Sequence, residues 1–174
     1  MLFNIIFEEY KNLVFNLALK YVYNIEDAEE ITQDVFVTIY QKMGSFREES
    51  KLSTWIYRIT INKSIDFLRA KNRQKRFAYI LSLFGDANKV NFDKAEFNHP
   101  GILLENNENL KLLLKQIDEL DINQKTVIIL LKIEGKSQSE TAEIMNLSVK
   151  AIESLFQRAK ANLLKKIIES KDYS

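Results

Sequence analysis

The sequence predicts an all-α protein of two small helical domains joined by a flexible linker. Helix-breaking residues are rare, with four Gly and one Pro in 174 residues, and sustained apolar/polar alternation, the pattern of strands, is scarce. Hydrophobic residues make up 46% of the chain, which is enough for packed cores and excludes disorder throughout. We expect an N-terminal domain over residues 1–80, a linker over 81–109 and a C-terminal domain over 110–174.

The first strongly periodic helix spans residues 27–43. Its apolar stripe consists of Ala28, Ile31, Val35, Thr38 and Ile39, widened by Phe36, Tyr40 and Met43. Gly44 follows as a residue that can end the helix. The opposite face carries Glu30, Gln33, Asp34 and Val37, and it is either a solvated face or a protein-docking surface.

A polar loop, GSFREESKLSTW, leads into a second helix that continues to about residue 76. Apolar residues nearly encircle this helix, which predicts that most of it, including Tyr57, is buried. One stripe escapes this pattern and is expected to be exposed: Arg58, Asn62 and Arg69. Trp55 lies beside the stripe, and its spacing leaves open whether it belongs to the core or stacks on an unpaired base.

The expected linker is marked by composition. Residues 84–109 hold the only Pro, two of the four Gly and six Asn without a clear helical period. Such a segment does not form a packed helix of its own, so it separates the two domains.

The C-terminal domain has the signature of a helix-turn-helix. Ser137 precedes Glu140 by three positions, which is the spacing of a capping box, and Asn146 can turn the chain before Ser148 caps a second helix. A supporting helix over 124–134 ends at Gly135. On the second helix the apolar residues share one face: Ile152, Leu155, Phe156, Ala159 and Leu163. The opposite, polar face carries Lys150, Ser154, Gln157 and Ala161.

That polar face suits a DNA major groove, where Lys and Gln contact base edges while Arg158, Lys160, Lys165 and Lys166 neutralise phosphates. The alternative is an ordinary amphipathic hairpin that packs on a neighbouring helix.

The formal net charge of +1 conceals a strong asymmetry. Residues 1–50 carry −5, residues 51–79 carry +7, residues 80–109 carry −3 and residues 110–174 carry +2. Charges act over about a Debye length of ~10 Å, so a polyanion near 51–79 experiences a basic surface whatever the total.

Composition also excludes several kinds of chemistry. The chain has no Cys and one His, which excludes disulfides and thiolate nucleophiles and leaves little for metal ligation. That single His99 precedes Pro100 in the expected linker, and no paired carboxylates frame a catalytic base. We expect no enzymatic activity, no cofactor and no metal. No apolar run approaches the ~20 residues of a membrane span, and a signal peptide is not evident, so we expect a soluble cytoplasmic protein.

Taken together, three segments of this chain resemble, in sequence and in order, the small sigma factors of bacterial RNA polymerase. The segments are DAEEITQDVFVTIY, STWIYRITINKSIDFLRAKNRQKR and SQSETAEIMNLSVKAIESLFQRAK. The resemblance is to the extracytoplasmic-function type, which has sigma domains 2 and 4 only, and it covers about 10–80 and 110–166. It implies an alternative sigma factor that directs promoter-specific initiation of transcription. The implied partners are RNA polymerase core, promoter DNA as duplex and as melted single strand, and an anti-sigma factor.

The resemblance also assigns surfaces. The helix matching 27–43 would bind polymerase through Glu30, Gln33, Asp34 and Val37. The loop matching 46–54 would hold a flipped base of the minus-ten element. The residues expected to contact minus-ten DNA and the adjacent duplex are Lys51, Ser53, Thr54, Trp55, Arg58, Asn62, Lys63, Arg69, Arg73 and Arg76. Those expected to contact the minus-thirty-five duplex are Ser148, Lys150, Ala151, Glu153, Ser154, Gln157, Arg158 and Lys160.

This chain departs from the family at three positions of the second helix of the helix-turn-helix. Many members carry a basic residue in place of Leu155, and glycine and threonine in place of Lys150 and Ala151. The expected base contacts are therefore assigned from the polar face of the helix. The alternative function is a helix-turn-helix regulator that binds an operator without being a polymerase subunit; such a protein would not need the 27–76 segment.

Overall fold

The computed structural model describes residues 2–46, 51–84 and 108–172, and all regular structure in those ranges is helical. The helices are α1 (Leu2–Val22), α2 (Ile25–Lys42), α3 (Leu52–Phe84), α4 (Glu108–Asp118), α5 (Ile122–Ile128), α6 (Gln138–Met145) and α7 (Val149–Asp172). A 3₁₀ turn, Met43–Ser45, follows α2, and a π-helical segment, Ile129–Ile133, continues α5. The predicted all-α class is therefore confirmed.

Chain contacts divide the molecule into two compact units. Unit 1 comprises Met1–Gln41 and Thr60–Ile102, and unit 2 comprises Lys42–Ile59 and Leu103–Ser174. The first eight residues of α3 thus group with the C-terminal helices, whereas the predicted boundary kept them in the N-terminal domain. The predicted domain limits stay a prediction, and most of the expected linker, residues 85–107 with His99, lies outside the described residues.

Unit 1 contains a hairpin of α1 and α2. Tyr23 ends α1 in the left-handed conformation, with φ 54°, and its N–H donates to the Leu19 carbonyl at 2.9 Å. Asn24 then caps α2, because its side-chain oxygen accepts a hydrogen bond from the Asp27 N–H at 2.8 Å. A tyrosine at such a position is unusual, since a Cβ disfavours left-handed backbone, and the sequence does not mark this turn with glycine.

The predicted stripe of α2 is largely confirmed. Its buried residues are Ala28, Ile31, Val35, Phe36 and Ile39. Tyr40, expected to widen the stripe, is instead 67% exposed. Its ring packs edge-on against Phe3 at 5.3 Å, so the aromatic contact forms at the surface. The expected helix end at Gly44 is also wrong, because α2 stops at Lys42 and Gly44 lies inside the 3₁₀ turn without positive φ.

Unit 2 is built around the predicted helix-turn-helix. The Ser137 hydroxyl accepts from the Glu140 N–H at 3.2 Å, while the Glu140 carboxylate accepts from the Ser137 N–H at 2.9 Å, so the capping box is confirmed. Asn146 is left-handed at φ 54° and ψ 47°, and Gly135 has φ 64°, as both turns require. The Ser148 hydroxyl accepts from the Ala151 N–H at 3.2 Å and caps α7.

One apolar cluster joins α4, α5, α6 and the first half of α7. Its buried members are Ile117, Leu120, Val127, Ile128, Ala142, Ile152, Leu155 and Ala159. Leu155 is 8% exposed, so in this chain it faces the core. The cluster fixes α7 so that its polar face points away from the unit.

Candidate nucleic-acid interface

The polar face of α7 is available to a ligand. Of the residues expected at the minus-thirty-five duplex, all but one are exposed: Ser148, Lys150, Glu153, Ser154, Gln157, Arg158 and Lys160. Ala151 is half-buried. The face combines three cations, an amide and two hydroxyls with one carboxylate, so it offers donors to base acceptors and acceptors to a base amino group.

Phe156 supports the edge of this face. The Lys160 ammonium lies 5.0 Å from the centre of the Phe156 ring, and the Lys132 ammonium lies 5.3 Å from it. Such cation–π contacts orient long lysine side chains at little cost to their hydration. Lys132 was not predicted as part of the interface, because it lies on the supporting helical segment and only the fold brings it to Phe156.

The start of α3 carries the aromatic part of the second candidate surface. Trp55 is half-buried, and its ring lies 5.0 Å from that of Phe46 at an interplanar angle of 41°. Phe46 belongs to the loop that the sequence analysis expected to hold a flipped base, although residues 47–50 of that loop lie outside the described range. Tyr57, predicted to be a core aromatic, is buried at 3% exposure.

Arg58 corrects the prediction of an exposed stripe. Its guanidinium donates twice to the carbonyl oxygen of Glu143, from Nε at 3.1 Å and from Nη2 at 2.6 Å, and the side chain is only half-exposed. Thr54 is buried at 5% exposure, and its hydroxyl donates to the Glu143 carboxylate at 3.4 Å. The sequence carries no sign of these contacts, since 85 or more positions separate the partners.

Tyr57 joins the same contact. Its hydroxyl donates to the Glu134 carboxylate at 2.7 Å, and the Lys136 ammonium lies 4.6 Å from the centre of its ring. Burial raises the pKa of Tyr57, and the hydrogen bond to the negatively charged Glu134 raises it further. The phenol therefore stays protonated and keeps donating at neutral pH.

The remaining residues expected at the minus-ten element lie along α3 or just before it. Five are exposed: Lys51, Asn62, Arg69, Arg73 and Arg76. Ser53 and Lys63 are half-buried. The Arg69 guanidinium lies 3.4 Å from Asp66 on the same helix, a pair that is 70% exposed on both sides and so contributes little to stability.

The acidic face of α2 is exposed as predicted. Glu30, Gln33, Asp34 and Val37 are all exposed, and Val37 has 55% of its surface free. Lys63 of α3 lies 3.8 Å from the Asp34 carboxylate. This ion pair places the candidate polymerase face and the candidate DNA surface next to each other within unit 1, and Lys71 pairs with Asp27 farther along the same two helices.

Within the described residues, no group of three or more His, Asp or Glu is placed to hold a metal ion. No described helix is long and apolar enough to span a membrane.

Comparisons with known proteins agree with this organisation. The family models for Sigma-70 region 2 and Sigma-70 region 4 match residues 6–74 and 110–163. The chain is 30% identical to the ECF RNA polymerase sigma-E factor of Haemophilus influenzae, over 95% of this chain and 87% of the relative. It is 26% identical to the sigma-E factor of Escherichia coli K12, over 95% of this chain and 86% of that protein.

Two solved structures share the fold. One is the sigma factor RpoE of Bartonella quintana in complex with the anti-sigma factor NepR, at a TM-score of 0.65 and 21% identity, covering 95% of this chain and 96% of that one. The other is CnrH in complex with the cytosolic domain of CnrY, at a TM-score of 0.65 and 23% identity, covering 96% of this chain and 88% of that one. Because both sigma-70 region models match and the chain is 30% identical to an ECF sigma-E factor, it belongs to the sigma-70 family, among the ECF sigma factors.

Proposed function

We propose that this protein is an alternative sigma factor that binds RNA polymerase core and directs promoter-specific initiation. The observation that carries the proposal is that both sigma-70 regions occur in one chain, in order, and each presents an exposed surface of the chemistry that DNA requires. An operator-binding regulator would need the helix-turn-helix but not the region 2 match, so that alternative is less favoured.

Duplex recognition is assigned to α7. Lys150 and Gln157 are exposed donors for purine edges, and Glu153 can accept from a cytosine amino group. A well-placed bidentate contact discriminates against a wrong base by about 1–3 kcal/mol, whereas Arg158 and Lys160 supply charge that is independent of sequence.

Strand capture is assigned to the region around Trp55 at the start of α3. Taking a base out of the stack costs a few kcal/mol, and stacking on an aromatic side chain returns about 1–3 kcal/mol per base. Trp55 and Phe46 form a ready aromatic pair, and the exposed cations of α3 supply phosphate contacts. Several such contacts together hold a melted segment open without nucleotide hydrolysis by this subunit.

The remaining parts of the proposal concern partners and location. We propose that the acidic face of α2 binds core polymerase, that the protein has no catalytic activity of its own and acts in the cytoplasm, and that an anti-sigma factor regulates it. The sigma factor RpoE of Bartonella quintana, which shares the fold, was solved in complex with the anti-sigma factor NepR, which supports the last point.

Reconstitution tests the function directly. Purified protein and core polymerase are incubated with fragmented genomic DNA, and the 5′ ends of the transcripts are sequenced. We expect a small set of start sites sharing one minus-thirty-five and one minus-ten sequence. If the protein neither binds core nor produces discrete start sites, the sigma assignment fails, and dimeric binding to an operator would then support the alternative regulator.

The α2 face has its own test. Glu30→Arg reverses a charge on an exposed position, so we expect at least a tenfold loss of affinity for core polymerase, measured by fluorescence anisotropy, with no change in unfolding temperature. Glu169→Arg makes the same charge change on exposed α7 and serves as the control. Equal affinity of both variants for core would remove α2 from the interface.

A further inference from the structure

Two lysines of unit 2 approach the same aromatic ring from different segments of the chain. The Lys160 ammonium, on α7, lies 5.0 Å from the centre of the Phe156 ring, and the Lys132 ammonium, on the π-helical segment, lies 5.3 Å from it. Both lysines are exposed. Only Lys160 belongs to the surface assigned to the minus-thirty-five duplex, so Lys132 adds a cation beside that surface.

The position of Lys132 belongs to a widened helical turn. The Glu134 N–H donates to the Ile129 carbonyl at 2.8 Å, five positions back, whereas an α-helical N–H donates four positions back. The turn therefore holds an extra residue, which changes the directions of the side chains that follow. Ile129 and Leu130 are fully buried, whereas Lys132 is exposed and reaches the ring of Phe156.

Phe156 gives the two lysines a fixed platform. Its ring is partly buried and packs against the apolar cluster of unit 2. A cation–π contact restricts a lysine side chain but does not neutralise its charge. Within the described residues, no carboxylate lies within 4.0 Å of either ammonium. Two positive charges are therefore held close to one ring, which makes this part of the surface attractive to an anion.

The anion that fits this place is a phosphate of the DNA backbone. A helix that enters a major groove lies between two sugar-phosphate strands, and residues on neighbouring segments contact the strand beside them. Lys160 on α7 already supplies a cation for such a strand. Lys132 lies next to it on a different segment, so the two lysines can contact the same strand.

We propose that Lys132 binds a backbone phosphate at the edge of the minus-thirty-five duplex, next to the phosphate bound by Lys160, and that Phe156 is the positioning residue for both lysines. The contact of Lys132 does not depend on base sequence, because it is made to phosphate alone. The proposal rests on the proposed function, since it adds a residue to the same duplex-binding surface.

The salt dependence of DNA binding tests the phosphate contact. Lys132→Gln removes the charge and keeps most of the side-chain length, and Lys115→Gln removes the same charge from an exposed position of α4. For the complex of protein and core polymerase on promoter DNA, Lys132→Gln should lower the affinity about fivefold at low salt and reduce the slope of log affinity against log salt by about 0.9. Lys115→Gln should change neither. Equal slopes for Lys132→Gln and the wild type would overturn the proposal.

A promoter with a substituted minus-thirty-five element separates a phosphate contact from a base contact. Lys132→Gln should weaken binding by the same factor on the natural and on the substituted promoter. Gln157→Ala removes an amide that is assigned to a purine edge, so it should weaken binding to the natural promoter more than to the substituted one. A loss by Lys132→Gln that is confined to the natural promoter would contradict a phosphate contact.

The positioning role of Phe156 has its own test. Phe156→Leu removes the ring and leaves both charges, so we expect an about threefold loss of affinity with an unchanged salt slope, because the released lysine side chains lose more freedom on binding. Phe156→Tyr keeps the ring and should bind as the wild type does. Affinities are compared below the unfolding temperature of each variant. Wild-type affinity in Phe156→Leu, or equal losses in both variants, would overturn the positioning role.

Failure of this inference is distinguishable from failure of the proposed function. If the wild type with core polymerase yields discrete start sites while Lys132→Gln keeps the wild-type slope, the sigma assignment stands and only the phosphate contact is overturned. If no discrete start sites appear, the proposed function fails. The free protein with a fluorescein-labelled duplex of mixed sequence at low salt then tests Lys132 through the same change of slope.

Discussion

Glu140 illustrates how much a single side chain can determine locally. It accepts hydrogen bonds from both the backbone and the hydroxyl of Ser137, at 2.9 and 2.8 Å, and these bonds lower its pKa from the ordinary value of 4.5. Nearby Lys136 and Lys51 lower it further. The folded protein therefore favours the ionised form of Glu140 more than the unfolded chain does. Only this ionised form adds to the free energy of unfolding.

The first prediction at this scale is a pH dependence. Because the folded pKa of Glu140 is lowered, its contribution to stability is present above pH 4.5 and is lost as the pH falls through the lowered folded value. The urea midpoint of unfolding should therefore fall less steeply with decreasing pH in Glu140→Gln than in the wild type. Glu169→Gln removes an equal charge as the control, and curves of equal slope for Glu140→Gln and the wild type would contradict the prediction.

Lys125 is a buried cation in the helix-turn-helix unit. Its side chain is 2% exposed, and its ammonium donates to the Asp118 carboxylate at 2.6 Å. Burial lowers the pKa of Lys125, whereas Asp118 opposes that change. The pair thus joins the end of α4 to α5 at the cost of desolvating a charge.

Asp118→Asn should destabilise the protein by about 2 kcal/mol, because it removes the charge that compensates the buried ammonium. Adding Lys125→Met, which replaces the cation with an apolar side chain of similar length, should recover most of that loss. Chemical denaturation measures both variants. A single variant as stable as the wild type would mean that Asp118 does not compensate the buried charge.

At the scale of elements, the stability of a short helix depends on the residues that cap its two ends. α6 has eight residues, and it is bounded by the capping box at Ser137 and by left-handed Asn146. The N–H of Leu147 donates to the Ala142 carbonyl at 3.0 Å, which closes the turn that leads into α7. The orientation of α7, and so of its polar face, depends on this turn.

Asn146→Ala should cost about 1–2 kcal/mol, since a left-handed backbone disfavours residues with a Cβ and Ala lacks the local hydrogen bonding of Asn. Asn146→Gly, the matched control, should be as stable as the wild type or more stable, because glycine adopts this conformation freely. Thermal unfolding distinguishes them. Equal losses in both variants would show that the Asn side chain, and not the backbone angle, matters.

At the scale of the whole molecule, the small net charge is the sum of opposed segments. Residues 1–50 carry −5 and residues 51–79 carry +7, and both segments keep exposed charges, acids on α2 and cations on α3. The separation suits a protein that binds a protein partner through one surface and a polyanion through the other.

The salt dependence of DNA binding should follow from this arrangement. Arg73→Ala/Arg76→Ala, at two exposed positions near the C-terminal end of the basic segment, should reduce the slope of log affinity against log salt by about 2, since each phosphate contact contributes about 0.9. The complex of protein and core polymerase on promoter DNA is the species to measure. Lys11→Ala/Lys115→Ala, outside the assigned surfaces, should leave the slope unchanged, and a similar slope for both pairs would contradict the assignment.

The sequence by itself determined the all-α class, the stripe of α2, the capping box and the left-handed turn at Asn146. These features rest on interactions between residues three or four positions apart, so neighbouring side chains encode them. The turn at Tyr23 and the 3₁₀ turn through Gly44 escaped prediction because their residue types do not require those conformations. Only the tertiary structure decided that Arg58 meets the Glu143 carbonyl and Tyr57 meets Glu134, across 85 and 77 positions. Which helix faces meet depends on packing over the whole unit, and no local pattern records it.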